Sequence, residues 1–210
     1  MEKIDFRKKY KHLYQPRANQ VQVVDVPELQ FAMIDGVIEP DHRPGDSPSF
    51  RNATMALYGV AYTLKFSSKM DKDNQLDYKV MTLEALWWVN EGVFDFSKPG
   101  NWGWRALFMQ PEHITQAMFA DAVQTLKKKQ DNPALDAVRL EPFSEGPCIQ
   151  MMHVGPYADE PATLAKMADF AAENGYVYRG KHHEIYLGDP RLAKPENLKT
   201  VLRQPVEKIA

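Results

Sequence analysis

Two glutamates interrupt segments that otherwise suit the interior of a sheet. Glu84 lies in "TLEALWW" and Glu184 in "HHEIYL", each among aliphatic and aromatic residues. Burying an unpaired carboxylate costs several kcal/mol or raises its pKa until the group holds a proton. Two carboxyl groups in one apolar site tend to separate in pKa, which leaves one ionised and one protonated. Such a pair can supply a general base and a proton donor.

Aromatic residues near these acids could form the walls of a site for a flat, apolar molecule. Trp and Tyr rings offer wide contact surfaces at a low cost in conformational entropy. The predicted ligand-binding residues are Trp87, Trp88, Trp104, Tyr58, Tyr157, Tyr186 and His182. Because strand residues alternate between faces, Trp87 and Trp88 cannot both face the same site.

The acids also have structural interpretations. Glu184 could pair with Arg179, with Lys181 or with a hydroxyl group, as a satisfied structural acid. Glu160, in "YADEP", is interpreted as a first-turn acid that the helix dipole stabilises.

The rings likewise have a second interpretation, as packing residues. Trp88 and Trp104 suit a hydrophobic core as well as a pocket wall. Tyr58 and Tyr62 are four residues apart, a helical spacing that is more typical of packing than of ligand contact.

The run His182, His183 and Glu184 raises the question of a metal site. Adjacent strand residues point to opposite faces, so only His182 and Glu184 could converge, and two ligands are too few. Cys148 is the only cysteine, which excludes an intrachain disulfide and a cysteine metal cluster. Since there is also no glycine-rich phosphate loop, we predict neither a metal nor a cofactor.

Composition narrows the class of partner. The chain has 210 residues, of which 44% are hydrophobic and 26% charged, as in ordinary globular proteins. A net charge of −2 gives no broad electrostatic reason to expect nucleic acid or an anionic membrane as partner. The N-terminus is too charged for a signal peptide, and no apolar run approaches the roughly 18 residues of a membrane span. We therefore expect a cytoplasmic protein that binds a small molecule, with its oligomeric state left open.

Hydrophobic periodicity predicts a repeated order of elements. A polar, solvated arm comes first, over residues 1–20. In the first half the predicted elements are strands within 21–40, a helix from Ser49, a strand over 78–89, an extended segment over 101–110 and a helix over 112–130. In the second half they are strands within 137–155, a helix over 157–176 and strands within 179–190 and 198–206.

The pattern predicts an α+β fold built from a tandem pair of strand-helix-strand-strand modules with pseudo-two-fold symmetry. After the arm, residues 21–210 are expected to form a single domain. Its first module spans about 21–110, its connecting helix about 111–130 and its second module about 138–208. Each antiparallel sheet is expected to carry its helices on one face.

The matching positions of the two acids predict a central ligand cleft. Glu84 and Glu184 occupy equivalent steps of the strand that follows each helix. Ile185 and Leu187 suit a helix-covered face, which assigns Glu184 and Tyr186 to the open face. If the modules are related by a pseudo-two-fold axis, both glutamates face the cleft between them.

At these residues the sequence resembles the GyrI-like small-molecule-binding family. The resemblance rests on "MMHVGPYADEPATLAKM", "HHEIYLGDP", "LEALWWV" and "WRALFMQPEHIT", and it covers roughly residues 20–208. It implies the tandem-module fold. In relatives that regulate multidrug resistance, an acid of the "EIYL" strand meets cationic aromatic drugs, a role that would fall to Glu184. With about twenty residues before the first module, no DNA-binding domain is expected here.

The resemblance also implies an activity. "LEALWW" and "WRALFMQP" are similar to stand-alone members, some of which hydrolyse DNA-alkylating natural products of the spirocyclopropyl-cyclohexadienone type. The resemblance implies a hydrolase that opens a cyclopropane ring by adding water. Glu184 and Glu84 are the candidates for its acid–base pair, and which of them is the acid and which the base stays open. The alternatives are a module that sequesters drugs without turnover, or a protein that acts by contact on a topoisomerase, as other relatives do.

Overall fold

The computed structural model describes residues 3–73, 75–89 and 102–209, and it has the predicted α+β fold. The segment "NEGVFDFSKPG" lies outside the described residues. The helices are α1 (Phe6–Lys9), α2 (Lys11–Tyr14), α3 (Pro48–Met70), α4 (Gln116–Lys127) and α5 (Glu160–Glu173). The strands are β1 (Gln22–Val26), β2 (Leu29–Val37), β3 (Glu84–Val89), β4 (Trp102–Gln110), β5 (Arg139–Phe143), β6 (Gly146–Val154), β7 (Tyr176–Tyr178), β8 (His182–Tyr186) and β9 (Lys199–Lys208).

The chain divides into two compact units. Unit 1 comprises Met1–Phe6 and Leu29–Phe143, and unit 2 comprises Arg7–Glu28 and Ser144–Ala210. The strand order is β3-β4-β2-β5 in unit 1 and β8-β9-β6-β1 in unit 2, with β7 on β9. Each order follows from a strand-helix-strand-strand module plus one flanking strand, and the pairs within each unit are antiparallel. The repeated module predicted from periodicity is therefore present.

The two flanking strands do not join the modules that the sequence analysis gave them. β1, placed in the first module, pairs with β6, and β5, placed in the second, pairs with β2. β1 thus belongs to the sheet of unit 2, although the next strand, β2, lies in unit 1. β5 belongs to the sheet of unit 1, although the next strand, β6, lies in unit 2. Local periodicity predicts that a strand forms but not which edge it joins, because pairing depends on contacts distant in sequence.

Helix α3 covers one face of the unit 1 sheet. It follows Ser47, whose hydroxyl accepts a hydrogen bond from the Phe50 amide at 3.2 Å, and Pro48 occupies its first turn. The Phe50 ring packs on the indoles of Trp87 and Trp104, with centroids 5.1 and 5.2 Å away. These two tryptophans therefore mark the helix-covered face.

Helix α5 covers one face of the unit 2 sheet. Its apolar residues join β6 and β9 in one buried cluster, which comprises Ile149, Met151, Met167, Ala171, Leu202 and Val206. Asn174 ends the helix and Gly175 follows with a φ of 63°, in the left-handed region that glycine favours. The helix predicted over this segment is confirmed.

The N-terminal segment is not the solvated arm that its composition predicted. Leu13 and Tyr14 are buried. The Gln150 amide donates to the His12 carbonyl at 2.6 Å, and the Arg203 guanidinium donates to the Leu13 carbonyl at 2.7 Å. Although most of the segment is polar, Leu13 and Tyr14 pack in the interior. Its carbonyl groups accept hydrogen bonds from the buried side chains of Gln150 and Arg203 in unit 2.

Among the described residues, none of the helices is both long enough and apolar enough to span a membrane.

Candidate functional site

Pairing of β8 with β9 sets the face on which Glu184 lies. Glu184 pairs with Leu202, and Tyr186 pairs with Thr200. Leu202 belongs to the cluster under α5, so Glu184 and Tyr186 lie on the helix-covered face. The assignment to the open face was wrong. Ile185 is buried on the other face, and apolar side chains therefore do not identify the helix side of this strand.

Glu184 is held by neighbours from its own strand. Tyr186 donates its hydroxyl to Glu184 Oε2 at 2.8 Å, and His182 Nε2 lies 3.5 Å from Glu184 Oε1. The side chains of Glu184 and His182 are only 12% and 13% exposed. The ring of Tyr157 meets that of Tyr186 edge to face, with centroids 5.8 Å apart. The predicted shared face of His182, Glu184 and Tyr186 is confirmed.

Glu160 is a second acid in this part of unit 2. It opens α5, is 3% exposed, and its Oε1 has no hydrogen-bond partner among the described residues. Burial, followed by the negative charge of Glu184, raises the pKa of Glu160 to about 9, although the Thr200 hydroxyl acts in the opposite direction. These surroundings therefore favour the protonated form of the group. The predicted first-turn position of Glu160 is confirmed, but burial rather than the helix dipole has the largest effect on its pKa.

A tight turn between β6 and α5 places Glu160. Gly155 has a φ of 138° and donates its amide to the Leu198 carbonyl at 3.0 Å. One 3₁₀ turn, Tyr157–Asp159, then leads into the helix. Asp159 is the N-cap residue of the helix, but its side chain makes no capping hydrogen bond. The helix start thus delivers Tyr157 and Glu160 to the same end of the sheet.

Glu84 does not match Glu184 in its relation to its own helix. It is fully buried and pairs with Leu107, on the sheet face that alternates with that of Trp87 and Trp104. It therefore lies on the face away from α3, whereas Glu184 lies on the α5 face. Two positions related by the module repeat would bear the same relation to their helices. The predicted equivalence of the two acids is wrong.

The three tryptophans also separate. Trp87 and Trp104 are 3% and 2% exposed, and Phe50 packs on both, so they belong to the core of unit 1 rather than to an open wall. Trp88 lies on the opposite face, where its indole stands directly over Gly103. The predicted alternation of Trp87 and Trp88 is confirmed.

Tyr58 remains accessible on α3. Its ring contacts Phe108 edge to face with centroids 4.6 Å apart, and the residue is 40% exposed. Further exposed apolar residues of the same helix are Met55, Tyr62, Phe66 and Met70. Tyr58 therefore packs against the sheet through one edge of its ring, while part of its surface stays available for contact.

No set of three or more His, Cys, Asp or Glu side chains within the described ranges is placed to hold a metal ion.

Sequence reasoning identified Glu184 but missed its acidic neighbour. Glu160 stands 24 positions away, and its polar surroundings in "YADEP" are typical of an exposed helix start. The available signal was Pro161, which fixes the helix start, combined with the apolar face that follows it. That signal places Glu160 in the first turn, but only tertiary packing buries it.

The comparisons with known proteins agree with this architecture. The family profile of the GyrI-like small molecule binding domain matches residues 110–207. An uncharacterised conserved protein from Listeria innocua is 40% identical, with a TM-score of 0.88 over 98% of this chain and 100% of that one. No curated protein matches the chain. This is a duplicated α+β domain of the small-molecule-binding class, and the chain belongs to the GyrI-like family.

Two further solved structures extend the comparison. A hydrolase from Listeria innocua is 38% identical, with a TM-score of 0.85 over 98% of this chain and 100% of that one. The C-terminal domain of EcmrR is 11% identical, with a TM-score of 0.53 over 90% of this chain and 98% of that one. The second likeness shows a shared fold alone.

Proposed function

We propose that the protein is a hydrolase for small, flat electrophiles, and that Glu184 and Glu160 of unit 2 perform its acid–base chemistry. The observation that carries this proposal is the buried Glu160, whose Oε1 has no hydrogen-bond partner among the described residues and whose pKa is raised by burial and by the charge of Glu184. A similar protein of Listeria innocua, 38% identical, is called a hydrolase. The substrate class we propose is the spirocyclopropyl-cyclohexadienone, whose strained ring opens by addition of water.

The proposed step needs one proton acceptor and one proton donor. Glu184 takes a proton from water as the water oxygen bonds to a cyclopropane carbon. The ring carbon–carbon bond breaks, and its electron pair moves into the dienone to give a phenolate. Glu160 donates its proton to that oxygen, which yields a phenol. A proton returned from Glu184 to Glu160 through solvent restores the pair, so the net reaction consumes only water.

We propose that the rings near Glu184 and Glu160 bind the aromatic part of the substrate. Tyr157 is 39% exposed and stands edge-on to Tyr186, whose hydroxyl holds Glu184. A planar ligand that stacks on Tyr157 would bring its carbonyl oxygen towards the acids.

The test is incubation of the protein with a cyclopropanoid in H₂¹⁸O, followed by mass spectrometry. We expect a product one water heavier that carries the label. Glu184→Gln keeps the shape of the side chain but cannot accept the proton, so turnover should fall about 100-fold or more. Glu160→Gln should retain binding and also lose turnover, because an amide cannot transfer a proton to the phenolate.

Glu173→Gln is the matched control, since Glu173 is an exposed acid at the other end of α5. It should leave turnover unchanged. Binding without any labelled product in the wild-type protein would reject the hydrolase proposal and leave a module that sequesters its ligand. Equal turnover in Glu184→Gln and the wild type would reject the assigned base.

A further inference from the structure

His153 is a buried histidine that the proposed chemistry does not use. It lies in one cross-strand row with Thr200 and Tyr186, and it is 4% exposed. Its ring makes two hydrogen bonds, from Nε2 to the Pro156 carbonyl at 3.0 Å and between Nδ1 and Thr163 Oγ1 at 2.9 Å. Both ring nitrogens are therefore engaged by the segment that carries Glu160.

The Pro156 carbonyl fixes the direction of one bond, and the direction of the other then follows for the neutral ring. A carbonyl oxygen can only accept, so Nε2 carries the hydrogen that it donates to Pro156. In the neutral ring Nδ1 is then an acceptor, and the Thr163 hydroxyl donates to it. The imidazole thus connects the end of β6 to the loop at Pro156 through one bond and to α5 through the other.

These two bonds bracket the helix start. Pro156 lies four residues before Glu160 and Thr163 lies three residues after it. The Pro156 carbonyl also accepts from the Asp159 amide at 2.9 Å, which closes the turn before the helix. Loss of the imidazole would release the segment on both sides of Glu160 while leaving β6 and β9 paired.

We propose that His153 is a positioning residue that holds the first turn of α5, and with it the buried carboxyl of Glu160, in place. The inference rests on the proposed function only for its consequence in turnover, since the positioning itself can be measured without substrate. His153 does not touch the reacting atoms. It acts by keeping the Glu160 side chain away from water.

The test is an NMR titration of the protein labelled with ¹³C at its glutamate side-chain carboxyls. The resonance of Glu160 is identified by its loss in Glu160→Gln. Thr163→Val removes the hydroxyl bond to Nδ1, and His153→Ala removes both bonds. In each variant we expect the titration midpoint of Glu160 to fall by about one pH unit or more, because the released carboxyl gains water.

Two further variants separate positioning from a general loss of stability. His153→Gln, whose amide can still donate to Pro156, should restore part of the midpoint lost in His153→Ala. Thr54→Val is the matched control, because Thr54 donates its hydroxyl to the Phe50 carbonyl at 2.8 Å in α3 of unit 1. It should leave the Glu160 midpoint unchanged.

An unchanged midpoint in Thr163→Val would overturn the inference, and so would a midpoint that moves equally in Thr54→Val. If His153→Ala does not fold, Thr163→Val decides the matter. A midpoint that moves in a protein without turnover would support the positioning role and reject the proposed function. Turnover in the wild-type protein, together with an unmoved midpoint in the variants, would support the proposed function and reject the positioning role.

Discussion

The surroundings of a carboxyl group decide whether it can serve as an acid or as a base, and the surroundings of Glu160 and Glu184 differ within one unit. Glu184 receives a hydrogen bond from Tyr186 and is 12% exposed, whereas Glu160 is 3% exposed and its Oε1 has no partner among the described residues. Burial and the charge of Glu184 raise the pKa of Glu160 to about 9. The identity of the side chain is the same, and only its environment differs.

The raised pKa of Glu160 gives stability a defined dependence on pH. Between its usual pKa of 4.5 and about 9, the folded state holds a proton that the unfolded state has released. Stability from this group is therefore fully present below the unfolded pKa and is lost as pH rises, by up to about 1.4 kcal/mol per pH unit.

Glu160→Gln should remove this dependence. Urea unfolding of the variant and of the wild type should show the variant gaining relative stability between pH 6 and pH 8, by roughly 1–3 kcal/mol. Glu173→Gln should follow the wild type at both pH values. Parallel curves for Glu160→Gln and the wild type would show that Glu160 is not protonated in the folded protein.

At the scale of elements, the close approach of β2 and β4 depends on a glycine. Gly36 pairs with Trp104, and a β-carbon added at Gly36 would overlap the Trp104 indole. The indole cannot move aside freely, because Phe50 packs on it from α3. The sheet and the helix of unit 1 therefore meet only if this position lacks a side chain.

Gly36→Ala should destabilise the protein by about 2 kcal/mol or more through overpacking, and it should change the tryptophan fluorescence. Gly45→Ala is the control, since nothing lies within 4 Å of its added β-carbon. Chemical unfolding with fluorescence detection measures both effects. Equal stability of the two variants would mean that Trp104 is not packed against Gly36.

At the scale of the whole molecule, the N-terminal segment is part of the core of unit 2. It lies against a buried charged group in which Glu145 Oε2 receives hydrogen bonds from His183 Nδ1 at 2.8 Å and from Arg203 at 3.1 Å. Burial alone would raise the pKa of Glu145, but His183 and Arg203 lower it to about 2. The Leu13 carbonyl completes the hydrogen bonds of Arg203. Removing one partner from a buried ion pair is strongly destabilising, because it leaves the other charge buried without compensation.

Leu13→Ala should accordingly cost about 3 kcal/mol, because the side chain is fully buried. Leu192→Ala is the control, since Leu192 is 87% exposed and should contribute almost nothing. Thermal unfolding of both variants measures the difference. If Leu13→Ala were as stable as Leu192→Ala, the segment would be the solvated arm that its composition predicted.

Hydrophobic periodicity, together with the proline and glycine residues that begin and end elements, predicted the helices and strands of this chain well. The α5 helix, with Pro161 at its start and Gly175 at its end, and the alternation of Trp87 and Trp88 follow from local backbone chemistry. The strand predicted over 78–89 proved shorter, since β3 begins at Glu84. Local signals identify an element more reliably than they locate its ends.

The sequence by itself determined the duplicated module, the exclusion of an intrachain disulfide and the position of Glu184 on a strand among apolar residues. Only the tertiary structure decided that Glu160 is a buried acid whose pKa responds to the charge of Glu184, and that β1 joins the sheet of unit 2 while β5 joins that of unit 1. The physical reason is that hydrophobic periodicity and turn chemistry are local properties of the chain. The side of a sheet that a helix covers, and the water that a carboxyl loses, depend on partners distant in sequence.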